Sequence, residues 1–219
     1  MGVAAEDDPA LADPRAGLEP RPAEVSLLLL RSPEGVTLGS ALTRRPEVVA
    51  EIRQIPGIGD VRTSRIGGTV GPGGEHWLGL LAVARLPDPC AHPLDRLTEA
   101  LRAFTAERLA SFGAVLELGR VEGAWCPGFS DLSIGQRKLV GLGLHLTAGW
   151  GLVRGVVAVS TPDQAELVRL DRCHRTFGPG VDPARMTSLS ELPGLEGIDR
   201  EKAIRLLGDR DLVPAKMAR

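Results

Sequence analysis

Apolar positions along this chain fall into short runs with two distinct periods. Residues 24–30 (EVSLLLL) form an unbroken apolar run bounded by proline and charge, which predicts a buried strand, and residues 77–85 predict a second. In residues 46–55, Val48, Val49, Ile52 and Ile55 recur at helical spacing behind Pro46, a residue suited to a first helical turn. The stretch PGIGD then ends that helix. Residues 67–74 (GGTVGPGG) are dense in glycine and predict a loop or a strand edge. From residue 93 to 112, Leu94, Leu97, Leu101, Phe104 and Phe112 mark a helical stripe, with Gly113 as its stop. Residues 114–121 alternate loosely and predict a strand. Leu132-Ser133-Ile134, then Gly135-Gln136, then residues 137–146 have the form of a tight hairpin with a type II′ turn. Residues 151–160 predict a further strand. Thr161 is expected to cap a helix that opens with Pro162 and Asp163 and runs to about Leu170, and residues 199–207 predict a last helix.

Consecutive strands with hairpin links, flanked by a few helices, predict an α+β fold with a mixed, largely antiparallel sheet. Residues 1–22 are rich in Ala, Pro, Asp and Glu and read as a flexible arm, leaving residues 23–219 as a single domain. At 219 residues the chain is long enough to bury a full core.

Composition narrows the chemistry. A formal net charge of -2 with no block of basic residues argues against a nucleic-acid binder, and the absence of Tyr with 3% aromatics removes a base-stacking platform. Cys90, Cys126 and Cys173 are an odd number without a CxxC spacing, so the chain reads as reduced and cytoplasmic. No secretory leader pattern and no membrane-length apolar run is present, so a soluble protein is expected. There is no GxSxG and no GxxxxGK[ST], which leaves out a serine-hydrolase elbow and a P-loop. A zinc set built from Cys90, His92, Cys173 and His174 has unusual ligand spacing, and no metal is expected.

The segment richest in chemistry is residues 123–155, GAWCPGFSDLSIGQRKLVGLGLHLTAGWGLVRG. Cysteine followed by Pro-Gly cannot lie inside a helix or a paired strand, so Cys126 is placed on a turn, where a thiol is accessible. The competing reading is a small buried hydrophobe. Here Cys126, Pro127, Gly128, Asp131, Leu132, Lys138, Leu139 and Gly141 resemble the central motif of the lipoate–protein ligase A superfamily, nearest to its cysteine-bearing octanoyltransferase and amidotransferase branch. Thr37-Leu38-Gly39, the pair Gly67-Gly68 and residues 181–192 extend the likeness outward.

That resemblance implies a fold shared with biotin protein ligases and related to class II synthetases. It implies transfer of an octanoyl or lipoyl group through a Cys126 thioester to a lysine of a lipoyl-carrier domain, such as glycine cleavage H protein or a 2-oxoacid dehydrogenase E2. Acyl carrier protein is the implied donor, and no cofactor is needed. A thioester divides one difficult acyl transfer into two easier steps. Lys138 is implied to bring positive charge to the acyl carbonyl. Gly67, Gly68, Arg65, Asp131 and Gly141 are the implied substrate-binding positions.

Two positions depart from the family pattern. Ser64 stands where an Arg is usual, with Arg62 and Arg65 on either side, and Leu144 stands where a Gln is usual. Strand parity puts Lys138, Val140, Leu142 and Leu144 on one face and His145 on the other unless a bulge intervenes. Cys173, just past a predicted helix, is a rival nucleophile. An ATP-dependent lipoate–protein ligase is a second reading, set back by the little chain left for an accessory domain after residue 195. A catalytically inactive relative that binds an acyl-carrier or lipoyl domain is a third.

Overall fold

The structure is a computed structural model that describes residues 25–66, 68–86, 92–147 and 149–208. The arm expected at residues 1–22, together with Gly67 and Cys90, lies outside the described residues.

Among the described residues, nine strands form two sheets. The larger has six strands in the order β1-β5-β9-β8-β7-β6, every neighbouring pair antiparallel. Its members are β1 (Val25–Leu30), β5 (Trp77–Arg85), β6 (Glu117–Leu118), β7 (Leu132–Ile134), β8 (Arg137–Thr147) and β9 (Trp150–Ala158). The smaller has the order β3-β2-β4, from β2 (Gly35–Leu38), β3 (Asp60–Thr63) and β4 (Val70–Gly73). Its β2–β3 pair is parallel and its β2–β4 pair antiparallel. The fold is therefore α+β with a mixed, largely antiparallel arrangement, as its strand runs and hairpin links predict.

Helices cover both faces of the large sheet. On one face, α3 (Pro93–Leu109) and α5 (Arg200–Gly208) bury Leu97, Leu101, Leu109, Ala203 and Leu207 against Leu78, Leu80, Val140, Val153 and Val157. The other face carries the small sheet with α1 (Ser40–Thr43), α2 (Pro46–Arg53) and α4 (Gln164–Arg175). There Leu38, Val48, Ile52, Trp77, Trp125, Val156 and Cys173 form a second core. Strand β5 lies between the two cores and is buried on both faces except at Arg85, which is why it reads as continuous rather than alternating. Among the described residues no helix is long and apolar enough to cross a membrane.

Several elements differ from expectation for identifiable reasons. The strand expected at 114–121 shrinks to Glu117–Leu118, because only those residues pair with β7. In α3 the buried stripe takes in Thr98 and Thr105, whose hydroxyls donate to the carbonyls of Leu94 and Leu101, while Leu94 itself is exposed. The hairpin turn between β7 and β8 is type I′ rather than II′, since Gly135 and Gln136 both have positive φ, 54° and 61°. Asp163, not Thr161, caps α4 by accepting from the Glu166 N–H. The helix continues past Leu170 to Arg175, so Cys173 and His174 lie within it.

The largest departure concerns strand β8. Ser133 pairs with Lys138 but Leu132 pairs with Val140, so Leu139 is an extra residue at a β-bulge. The bulge reverses the parity beyond it. Val140, Leu142 and Leu144 belong to the α3 side of the sheet. The face of Lys138 instead continues through Gly141 and Gly143, with His145 next in register. Leu144, which departs from the resembled pattern, therefore packs half-buried against the hydrophobic core on the face away from the lysine.

Candidate active site

A cleft opens where the small sheet meets the β8–β9 hairpin. It encloses about 410 Å³ of space not filled by atoms, its open mouth included, and is lined by Thr37, Gly68, Thr69, Trp125, Cys126, Gly141, Gly143, Arg154 and Val156. Glycines make the space. A Cβ on Gly68 would lie 3.9 Å from the Cys126 sulfur, and Gly68 has φ +92°, a conformation that disfavours any side chain. A Cβ on Gly141 would meet Lys138 Nζ at 3.1 Å and Trp125 Nε1 at 3.2 Å.

Cys126 itself has φ +44°, left-handed backbone for a non-glycine residue, which costs about 1–3 kcal/mol and persists only where neighbours enforce it. Here they do. Its N–H donates to His174 Nε2 at 3.3 Å, and its carbonyl accepts from Lys138 Nζ at 2.8 Å. Pro127 follows and ends any extended or helical continuation. The thiol is thereby turned toward Thr69, whose N–H and hydroxyl both donate to Sγ, at 3.2 and 2.6 Å.

Lys138 is fully buried, and its ammonium meets three acceptors, Trp125 O at 2.6 Å, Cys126 O at 2.8 Å and Asp131 Oδ2 at 2.9 Å. An ammonium has three donors, so all are satisfied within the protein. The Trp125 ring lies 4.7 Å away as a further partner for the charge. Asp131, equally buried, also accepts from the Gly128 N–H at 2.8 Å. Burial pulls Lys138 below the usual lysine range and pushes Asp131 above the usual carboxylate range, each offset by the other's charge. The expected roles are corrected accordingly. Lys138 holds the peptide of the Cys126 turn from beneath and does not line the cleft, and Asp131 anchors the lysine and the Pro127-Gly128 turn.

The other sequence candidates separate clearly. Gly68 and Gly141 line the cleft beside Cys126. Arg65 is exposed and is not among the lining residues. Ser64 is a buried turn residue whose hydroxyl accepts from the Ile66 N–H, and Arg62 donates to the carbonyls of Pro33 and Glu34. Cys173 is corrected as a rival nucleophile: it is wholly buried in the second core, and burial pushes its thiol up to about 12.

Three site residues escaped the sequence reading. Thr69 directly follows the glycine pair, the signal that could have marked it. His174, beside Cys173, is brought to the site by the unforeseen last turn of α4. It is held neutral, at about 4, mainly by burial and then by the Lys138 charge, as an acceptor of the Cys126 N–H requires. Arg154 faces the cleft because it pairs with Gly143 across β8 and β9. The segment after α4 closes the arrangement. The Asp182 N–H donates to Gly123 O and the Thr187 N–H to Lys138 O, which ties that segment to both sides of the Cys126 turn.

No family model matches the chain. It is 37% identical over 107 residues to an octanoyl-[GcvH]:protein N-octanoyltransferase of Geobacillus kaustophilus, covering 45% of this chain and 38% of the relative. The protein of that name from Bacillus velezensis is 33% identical over 110 residues, with the same coverage. The chain thus spans less than half the length of the curated relatives it matches. In fold it resembles a T. acidophilum protein assigned as a lipoate protein ligase and solved with lipoic acid, at TM-score 0.59 and 13% identity, covering 84% of this chain and 69% of that one. It also resembles a lipoate-protein ligase A bound with ATP, at TM-score 0.56 and 12% identity, covering 84% and 69%. The chain is thus similar in sequence, over less than half its length, to octanoyl-[GcvH]:protein N-octanoyltransferases, and similar in fold to lipoate-protein ligases.

Proposed function

We propose that this chain transfers a medium-chain acyl group, octanoyl or lipoyl, through a thioester on Cys126 to a lysine of a lipoyl-carrier domain. The observation that carries this reading is a single one. Cys126 Sγ borders an unfilled cleft, on a turn whose backbone is clamped from both sides. In the first half-reaction the sulfur attacks the donor's acyl carbonyl, a sulfur–carbon bond forms, and the donor departs carrying the proton that Cys126 gives up. In the second, the carrier lysine's amine attacks the thioester carbon, the carbon–sulfur bond breaks, and an amide forms while the thiol regains a proton. Neither half needs ATP or a metal. The curated relatives are named for an octanoyl-[GcvH] and a protein between which octanoyl moves. A glycine cleavage H protein or an E2 lipoyl domain is the carrier proposed here, with acyl carrier protein as the first donor.

The test is intact-mass analysis of the purified chain after incubation with octanoyl-acyl carrier protein, then with glycine cleavage H protein. An octanoyl adduct that survives Cys173→Ala, disappears in Cys126→Ala, and passes to the H protein without ATP is the expected result. Labelling of the carrier that requires free lipoate and ATP would instead make the chain a ligase. Neither adduct nor transfer would leave a binding protein without this activity.

A further inference from the structure

Resting on the acyl-transfer reading, we infer that Thr69 is a catalytic residue whose two donors follow negative charge from the Cys126 sulfur to the acyl oxygen. Thr69 touches the reacting atom directly, with its N–H 3.2 Å and its hydroxyl 2.6 Å from Sγ. Its placement is rigid. Gly68 before it takes φ +92°, its own carbonyl accepts from the Gly39 N–H at 2.8 Å, and strand β4 begins at Val70. One residue therefore presents a fixed donor and a rotatable one to the same point on the cleft wall.

When Sγ bonds to the acyl carbon, the carbonyl π pair moves to oxygen, and that oxygen lies two bonds from the sulfur. Donors already converging on Sγ need only a small adjustment to reach it, and the hydroxyl hydrogen can turn to do so. Collapse of the intermediate returns the electron pair to the carbonyl and breaks the donor's carbon–sulfur bond. The donor sulfur leaves as a thiol with the proton lost by Cys126, so the exchange balances. Donors held in place before charge develops are the most effective form of transition-state stabilisation. The neighbouring cation does not supply this service, because all three donors of Lys138 are taken by Trp125, Cys126 and Asp131.

Two reactions of the same sulfur separate this role from a structural one. Acylation of Cys126 by octanoyl-pantetheine passes through an oxyanion, whereas alkylation by iodoacetamide does not. In Thr69→Val, which keeps the N–H and loses the hydroxyl, single-turnover acylation followed by intact mass should fall about 10²-fold, the loss typical of one oxyanion donor. Alkylation should fall less than about threefold, and Thr69→Ser should recover most of the lost acylation rate. Circular dichroism and melting of each variant check its fold. Equal losses in both reactions would mean that Thr69 acts on the sulfur alone, and unchanged acylation would mean that it does not act; either overturns the inference. A wild-type Cys126 that is alkylated but never acylated would overturn the acyl-transfer reading, and this inference with it.

Discussion

At the scale of single residues, the site is a set of constraints on one peptide. Cys126 adopts an unfavourable φ because His174 takes its N–H and Lys138 its carbonyl. Each constraint has a measurable consequence. Lys138→Met leaves the Asp131 carboxylate buried without its cation, and breaking a buried pair from one side costs about 3–5 kcal/mol. Urea unfolding should show that loss, and Lys138→Met with Asp131→Leu should recover part of it; a single variant as stable as the wild type would remove the pair's structural role. His174 gives a pH signature. Its folded value of about 4 lies below the ordinary 6.5, so between those values the unfolded chain binds the extra proton. Stability from this group is thus full above pH 6.5, falls progressively as pH drops below that value, and is wholly lost by about pH 4. The loss is about 3 kcal/mol, at about 1.4 kcal/mol per pKa unit. Urea midpoints measured from pH 7 to pH 4.5 should fall less steeply in His174→Gln, and parallel profiles would refute the assignment.

At the scale of elements, what the sequence makes legible depends on whether local pattern or tertiary pairing decides. Strands β1, β5 and β9 and helices α2, α3 and α5 are visible because their apolar periods are strong and their stops are Gly, Pro or charge. Strands β2 and β3 are not, since four residues carry too little period and their pairing is set by partners far along the chain. The Leu139 bulge is invisible for a related reason: nothing in RKLVGLG marks which residue is left unpaired. Parity reasoning fails there, and with it the expected faces of Leu144 and His145. Cys126 and Gly141 were legible from motif chemistry, whereas Lys138's partners were not, because saturation by three acceptors exists only once the Trp125-Cys126 turn folds over it. The β7–β8 turn offers an element-scale test. Gln136 holds φ +61° where a type I′ turn favours Asn or Gly. Gln136→Asn should raise stability by about 0.5–1 kcal/mol. A shift of the urea midpoint without a change in slope is the expected reading, and no gain would argue against the type I′ geometry in solution.

For the molecule as a whole, the cleft belongs to neither sheet alone. Its walls are Thr37, Gly68, Thr69 and Gly71 from the small sheet and its β4 loop, and Gly141, Gly143, Arg154 and Val156 from the large one, with Cys126 at the junction. Strand β4 packs on β5 and β9, so the two sheets already share a core, and the cleft is the gap left in that packing. An acyl chain attached to Cys126 and lying in this gap would touch both sheets and become part of what unfolding exposes. Each buried methylene is worth about 0.8 kcal/mol. In a protein of this size about 1 kcal/mol moves the melting midpoint by about 2–4 °C. Acylating Cys126 with acetyl, butanoyl, hexanoyl, octanoyl and longer chains should therefore raise Tm in steps, and the steps should end where the gap is full. Scanning calorimetry of each adduct, with its site confirmed by peptide mass, reads the series directly. A plateau at the chain length that acylates Cys126 fastest would tie packing to selectivity, whereas a flat series would mean that the chain stays in water and the gap is not its berth.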